Sequence, residues 1–212
     1  MLDSTGFDLW AGDYDKTVGI TDENDLYPFA GYRDLMSTVY SMIMSKQPVT
    51  VLDIGIGTGV LAFKLYENGV KITGIDFSSE MLNITRKKMP EASLINYDFT
   101  KGLPPELLNK KFDLIVSTYA LHHMTDNEKA TFIPSLFELL NDDGPIIIGD
   151  VSFQNREELE NCKAKYSDDW DDDEFYFVFT ELSKSLSDKC SMSYHQISHC
   201  AGILEVSPFI QK

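Results

Sequence analysis

The sequence predicts an α/β fold of the doubly wound kind, with a mostly parallel sheet and helices on both of its faces. Three observations carry this reading. Short apolar, β-branched runs alternate along the chain with longer amphipathic stretches, as in successive strand, helix, strand units. The run Val49 to Ile54 empties into Gly55, Gly57 and Gly59, a buried strand closing on a turn that opens a helix. The next apolar run, Lys71 to Ile75, ends in Asp76, and its offset from Gly55 (76 − 55 = 21) is about the twenty residues that one strand, helix and strand require.

The 212 residues suit one domain with a substantial core. Lys plus Arg total 18 against 34 Asp plus Glu, a formal charge of −16, so the average surface repels phosphate backbones and a nucleic-acid substrate is disfavoured. The largest basic cluster, Arg86, Lys87 and Lys88, sits on an ordinary amphipathic helix. The opening MLDSTGFDLW lacks a basic, apolar leader, and no run approaches membrane-spanning length, so a soluble, cytoplasmic protein is expected. Cys162, Cys190 and Cys200 are odd in number and form no C-x-x-C, which fits buried free thiols in a reducing compartment.

The glycine turn indicates a ligand. Glycine is needed where backbone takes positive φ or comes close to a bound molecule, and a helix starting there presents free amides. A dinucleotide fingerprint G-x-G-x-x-G would put its third glycine at position 60, which is Val60, so a pyrophosphate ligand is disfavoured. Asp53, two residues before Gly55, together with the G-x-G-x-G form, resembles motif I of the class I S-adenosylmethionine (AdoMet) dependent methyltransferases. The resemblance implies a Rossmann-like, seven-stranded, mostly parallel sheet with an antiparallel C-terminal strand. It also implies that Gly55, Gly57 and Gly59 approach the methionine portion and that Asp53 orients the loop or meets the amino group. On the same footing Asp76 binds ribose, Asp98 accepts from the adenine amino group and Phe99 covers the ring. Phe77, Met81 and Ser117 are counted with them as cofactor-binding residues.

Taken in order, residues 1–45 are expected to form a helical lid, 46–150 the AdoMet-binding core, 151–190 a helical acceptor-side segment and 191–212 a C-terminal β-hairpin. In the first segment the pattern Trp10, Ala11, Tyr14, Asp15 resembles the N-terminal lid of small-molecule methyltransferases, which would place Tyr14 near the reacting groups. The segment from Tyr27 to Ser45 reads as a helix after Pro28, with Leu35, Met36, Val39, Tyr40 and Ile43 as its apolar stripe; Tyr27 and Tyr32 belong either to an acceptor pocket or to packing. Val60 to Leu65 is helical up to a C-cap at Asn68 and Gly69, and Ser78 or Ser79 caps the helix carrying Met81, Leu82 and Ile84, which Pro90 ends. Ser93 to Tyr97 and Phe112 to Ser117 are the third and fourth strands.

The fourth strand empties into Thr118 to Met124, the carboxyl edge where open α/β sheets bind ligands. No N-P-P-Y tetrapeptide stands there, so a flipped nucleic-acid base is not the expected acceptor. Of the adjacent His122 and His123 only one can face the cofactor; His122 is chosen as the candidate base, with a structural role as the alternative. Thr125 to Glu128 reads as a capping box, Pro134 as a kink, and Pro145 to Asp150 as a fifth strand after the turn Asn141 to Gly144.

Beyond Asp150, a helix over Arg156 to Tyr166 precedes the acidic run Asp168 to Glu174, which is read as the solvated start of a further helix containing Phe175, Phe177, Val178, Phe179, Leu182 and Leu186. The alternative is that some of these carboxylates, with Trp170 and Tyr176, receive a cationic acceptor or a metal. Ser191 to Phe209 suggests two antiparallel strands joined near Ala201 and Gly202. His195 and His199 on one strand would stand ~13 Å apart, too far to share an ion, so no metal is expected.

The function implied by the resemblance is transfer of the AdoMet methyl group to a small-molecule acceptor by in-line displacement, leaving S-adenosylhomocysteine, in a monomer or homodimer without membrane partners. The competing reading is a non-catalytic AdoMet-binding sensor or partner subunit.

Overall fold

The computed structural model describes residues 26–141 and 144–209. The expected lid, with Trp10 and Tyr14, lies outside these residues, as do Asp142 and Asp143 of the turn before the fifth strand. The first described helix, α1 (Tyr32–Ser45), begins after Pro28 as expected, following a turn over residues 27–31.

Strand and helix then alternate as expected: β1 (Thr50–Ile54), α2 (Val60–Glu67), β2 (Lys71–Asp76), α3 (Ser79–Lys88), β3 (Ser93–Asn96) and β4 (Leu114–Thr118). Ser78 caps α3 by accepting the Met81 amide, and Thr125 with Glu128 completes the capping box of α4 (Asp126–Ser135). Pro134 lies inside α4, which passes directly into a 3-10 turn at Leu136–Leu139. β5 (Ile146–Phe153) is buried along its whole length and runs three residues past the expected end at Asp150.

The strand order is β3-β2-β1-β4-β5-β8-β7, where β7 is Cys190–Gln196 and β8 is Ala201–Pro208. β1 to β5 pair in parallel and β8 is antiparallel to both β5 and β7. This is the doubly wound, mostly parallel sheet expected, with one antiparallel C-terminal strand. Ala201 and Gly202 belong to β8 rather than to its junction with β7, which is formed by residues 197–200.

The region after α5 (Arg156–Lys165) departs from the sequence reading. The acidic run opens no helix; it passes into β6 (Phe177–Val178), which pairs in parallel with the end of β5, and only then into α6 (Phe179–Ser185). Phe177 is almost fully buried against the sheet, so packing there favours the β-branched and aromatic pair in extended form.

The pleat sorts the core into two layers. Val51, Leu114, Val116 and Ile147 pack with Leu35, Val39, Leu61, Leu65 and Leu82 of α1 to α3 on one face. Leu52, Ile54, Ile115, Ile146 and Ile148 pack with Phe132, Ile133 and Leu182 of α4 and α6 on the other. All three cysteines are buried free thiols. Helices covering both faces leave the carboxyl ends of β1, β2 and β4 as a shared open edge. Among the described residues no helix is long and apolar enough to cross a membrane.

Candidate active site

At the end of β1 the chain turns through Gly55, Gly57 and Gly59, each with positive φ. A methyl group at Gly55 would stand 2.3 Å from the Ala120 Cβ, so this glycine lets the turn close against the loop after β4. At Gly57 nothing lies within 4 Å of the same position, which is open toward a cavity. Asp76, at the end of β2, holds this turn: its Oδ2 accepts the Gly57 amide at 2.8 Å and its Oδ1 accepts the Ser78 amide at 2.9 Å. From α3 the Thr85 hydroxyl donates to the Gly57 carbonyl at 2.6 Å.

The cavity at this edge is lined by Asp53, Gly55, Gly57 and Asp76, with the rings of Phe77 and Phe99 and the side chain of Met81. Asp53 is 2% exposed, and its Oδ1 has no hydrogen-bond partner among the described residues. Burial, followed by the charge of Asp76, pushes its carboxyl up to about 7. A buried carboxylate that leaves one oxygen unmatched on a cavity wall is suited to a cationic or donor group of a ligand.

The opposite wall is Tyr32 and Met36 of α1, with Thr118, Tyr119, Ala120 and His123 from the loop after β4. Tyr119 takes φ 49, a left-handed conformation that costs a non-glycine residue on the order of 1 kcal/mol or more. Its amide is held by the Gly149 carbonyl at 2.9 Å, and its ring packs 5.3 Å from that of Tyr32 and 5.4 Å from that of Phe29. The strained backbone sets an aromatic wall across from the glycine turn.

The two histidines occupy a 3-10 turn, Leu121–His123, and their rings pack edge to face, 4.2 Å between centres. His123 lines the cavity, and burial together with the charge of His122 lowers it to about 3, so its ring is neutral. His122 lies behind it, 7% exposed, and its Nδ1 donates to Asp150 Oδ1 at 2.6 Å. Asp150 Oδ1 also accepts the Val151 amide at 2.8 Å, which marks it as an acceptor and fixes the His122 tautomer. The other ring nitrogen, Nε2, faces Glu174 Oε1 at 3.5 Å, and Glu174 Oε2 accepts the Tyr176 hydroxyl at 2.6 Å. Burial opposes charge on His122, but Asp150 and Glu174 outweigh it and raise the ring above its usual value. Lys129, 1% exposed, donates to the Phe175 carbonyl and to Asp126, and its ammonium lies 4.4 Å from the centre of the Phe177 ring.

Residues 51–144 match the family model described as a methyltransferase domain. An uncharacterized methyltransferase of Geobacillus sp. (strain WCH70) is 39% identical over 158 residues, covering 74% of this chain and 70% of its own. The chain belongs to the class I S-adenosylmethionine-dependent methyltransferases. A second relative, an uncharacterized methyltransferase of Geobacillus thermodenitrificans, is 35% identical over 209 residues and 94% of each chain. The fold is similar to that of magnesium protoporphyrin IX methyltransferase from Synechocystis PCC 6803, solved with bound S-adenosylhomocysteine, with a TM-score of 0.68 at 19% identity over 85% of this chain and 84% of that one.

In this methyltransferase the expected cofactor-binding residues do not all reach the cavity. Asp53, Gly55, Gly57, Asp76, Phe77, Met81 and Phe99 line it. Gly59 does not: it caps α2, and a methyl group there would meet Met89 at 2.9 Å and Thr85 at 3.1 Å, so its role is close packing of α2 on α3. Asp98 is occupied in its own turn, its Oδ1 accepting the Thr100 amide and hydroxyl and its Oδ2 lying 3.0 Å from Lys101 Nζ. Ser117 points into the sheet and donates to the Ile54 carbonyl at 2.8 Å, leaving Thr118 to line the cavity. His122 is likewise displaced by His123, and the Tyr14 assignment lies outside the described residues. Tyr32 lines the cavity, whereas Tyr27 stacks on Trp170, 5.1 Å between ring centres. The sequence pattern gives Tyr119 no role, and weighs His123 only as the partner of His122 and Glu174 only within the acidic run; strain at a single φ and the direction of one ring of a pair leave no periodic signal.

Proposed function

We propose that this protein transfers the methyl group of AdoMet to a small-molecule acceptor by in-line displacement. The observation that carries the reading is the unmatched, buried Asp53 carboxylate on the same wall as the open Gly57 position and Asp76. These residues fit AdoMet. Asp53 would meet the ammonium of its methionine portion, the backbone at Gly55 and Gly57 would admit that portion closely, Asp76 would receive the ribose hydroxyls, and Phe99 would cover the adenine.

When bound, AdoMet supplies a methyl group on a sulfonium that is already a good leaving group. The chain's own work is therefore mainly positioning and exclusion of water. Asp76 keeps its orientation because two backbone amides hold it, so its alignment costs little reorganisation when a ligand arrives. Tyr32, Met36 and Tyr119 present an apolar and aromatic wall on which a small acceptor can lie flat. His123, held neutral on that wall, can offer a hydrogen bond to an acceptor, while its lowered basicity makes it a poor proton acceptor, so an acceptor that must lose a proton would give it to water. With a net charge of −16 and no extended basic surface run, the chain suits a small acceptor better than a nucleic acid.

The test is incubation with methyl-labelled AdoMet and a panel of small oxygen, nitrogen and sulfur nucleophiles. The reading expects label in one acceptor class together with stoichiometric S-adenosylhomocysteine. AdoMet bound but never turned over with any acceptor would favour a non-catalytic binding protein instead.

A further inference from the structure

We infer that His122, His123 and Glu174 form a binding site for one divalent cation of the zinc type beside the cofactor cavity. The nitrogen and oxygen donors of these three residues all lie within 4.8 Å of one another. The sequence excludes a metal shared by His195 and His199 and offers one at the acidic run only as an alternative; the fold joins Glu174 of that run to His122 and His123 of the loop after β4.

The geometry of one pair, an ion pair in the absence of metal, also suits two ligands of one ion. His122 Nε2 and Glu174 Oε1 stand 3.5 Å apart, beyond the usual hydrogen-bond range of ~2.7–3.2 Å. Two donors each about 2.1 Å from a tetrahedral ion are separated by roughly 3.4 Å, which is the spacing seen. His123 completes a His-His-carboxylate set, its ring nitrogen lying within 4.8 Å of the other two donors. Imidazole donors select zinc-like cations over magnesium or calcium, which prefer all-oxygen shells.

The groups behind these donors are those a metal site needs. A metal-binding histidine almost always donates its second nitrogen to a carboxylate, which orients the ring and makes it a better ligand. His122 does this with the fully buried Asp150, itself held by the Val151 amide. Glu174 is steadied through its other oxygen by the Tyr176 hydroxyl. Two carboxylates, Asp150 and Glu174, face His122 against one ammonium, Lys129, so the neighbourhood favours a positive ion.

His123 belongs both to this cluster and to the cavity wall, so an ion here borders the acceptor side. Its open position would hold an acceptor hydroxyl or thiol and ease loss of that proton to water. This role rests on the methyl-transfer reading; the site itself does not.

The test is calorimetric titration of the metal-free full chain with Zn²⁺, with Co²⁺ absorption as a second readout, and S-adenosylhomocysteine titrated separately into the same preparation. Expected are one Zn²⁺ per chain at about micromolar affinity or tighter and visible Co²⁺ bands of nitrogen and oxygen ligation. Glu174→Gln and His123→Ala should each weaken Zn²⁺ at least tenfold, while His195→Ala and His199→Ala should leave it unchanged. If a variant fails to fold by circular dichroism, the Co²⁺ spectrum of the unmodified chain decides. No Zn²⁺ binding by that chain, or unchanged binding in folded Glu174→Gln and His123→Ala, overturns the inference. S-adenosylhomocysteine binding without Zn²⁺ sinks only this inference; Zn²⁺ binding without S-adenosylhomocysteine sinks only the methyl-transfer reading.

Discussion

Asp76 accepts the amide of Gly57 at 2.8 Å, so the carboxylate that ends β2 also shapes the turn that ends β1. A residue read as a ribose ligand is thus also a structural acceptor, with its second oxygen on the Ser78 amide. Asp76→Ala should lower AdoMet affinity at least tenfold and also cost about 1–3 kcal/mol of stability, because two amides lose their acceptor. Asp76→Asn keeps one acceptor and should lose affinity with a smaller drop in the unfolding midpoint. Calorimetry and urea unfolding on the two variants separate the two roles.

Gly55 and Gly57 should respond differently to alanine. At Gly55 the added methyl collides with Ala120, whereas at Gly57 it projects into open space, and both carry the penalty of positive φ. Gly57→Ala is expected to fold, with a loss of about 1 kcal/mol, and to bind S-adenosylhomocysteine weakly because the methyl group occupies the cavity wall. Gly55→Ala should be the more destabilised of the two in thermal unfolding. Equal stability would contradict the Ala120 contact as the reason for that glycine.

Asp53 gives a pH dependence with a definite sign. Its carboxyl is raised from 3.8 to about 7, so between these values the folded chain holds a proton that the unfolded chain releases. Stability therefore falls as pH rises through this window, by on the order of 4 kcal/mol at most, and the deficit is complete above about pH 7. Asp53→Asn should melt higher than the parent chain at pH 8, with the difference closing toward pH 4. The same variant should bind AdoMet more weakly at pH 8, having lost the charge that would meet the ligand's ammonium. Melting curves of both chains across this range check the slope.

Lys129 is buried beneath the segment that carries Glu174. Lys129→Met fills a similar volume but leaves the Phe175 carbonyl without its ammonium donor. We expect a loss of about 1–3 kcal/mol, read as a lower urea midpoint at unchanged slope. An unaltered midpoint would show that the ammonium contributes nothing net once its own burial is counted.

The sheet was legible because its signals are local and repeated. Apolar runs ending in Gly55 and Asp76, and caps at Ser78 and Thr125, each declare themselves within a few residues. The site was legible only in part. Asp76 ends one strand and Asp98 follows the next, yet Asp98 satisfies its own turn, and a short carboxylate caps a turn as readily as it meets a ligand. Ser117 and Thr118 differ by one step of the pleat, which decides whether a hydroxyl faces the sheet or the cavity. His122 and His123 are sequence neighbours, and what distinguishes them is the Asp150 bond to His122 against the cavity position of His123, which only the fold decides. At Phe177 and Val178, edge pairing with β5 overrode a helical pattern.

The most direct test of the central claim is calorimetric titration of the purified chain with AdoMet and with S-adenosylhomocysteine, alongside Asp53→Asn. The account expects one site for each ligand at about micromolar affinity or tighter, near −8 kcal/mol, with AdoMet weakened at least tenfold in the variant. Binding of neither ligand to the folded chain would contradict it.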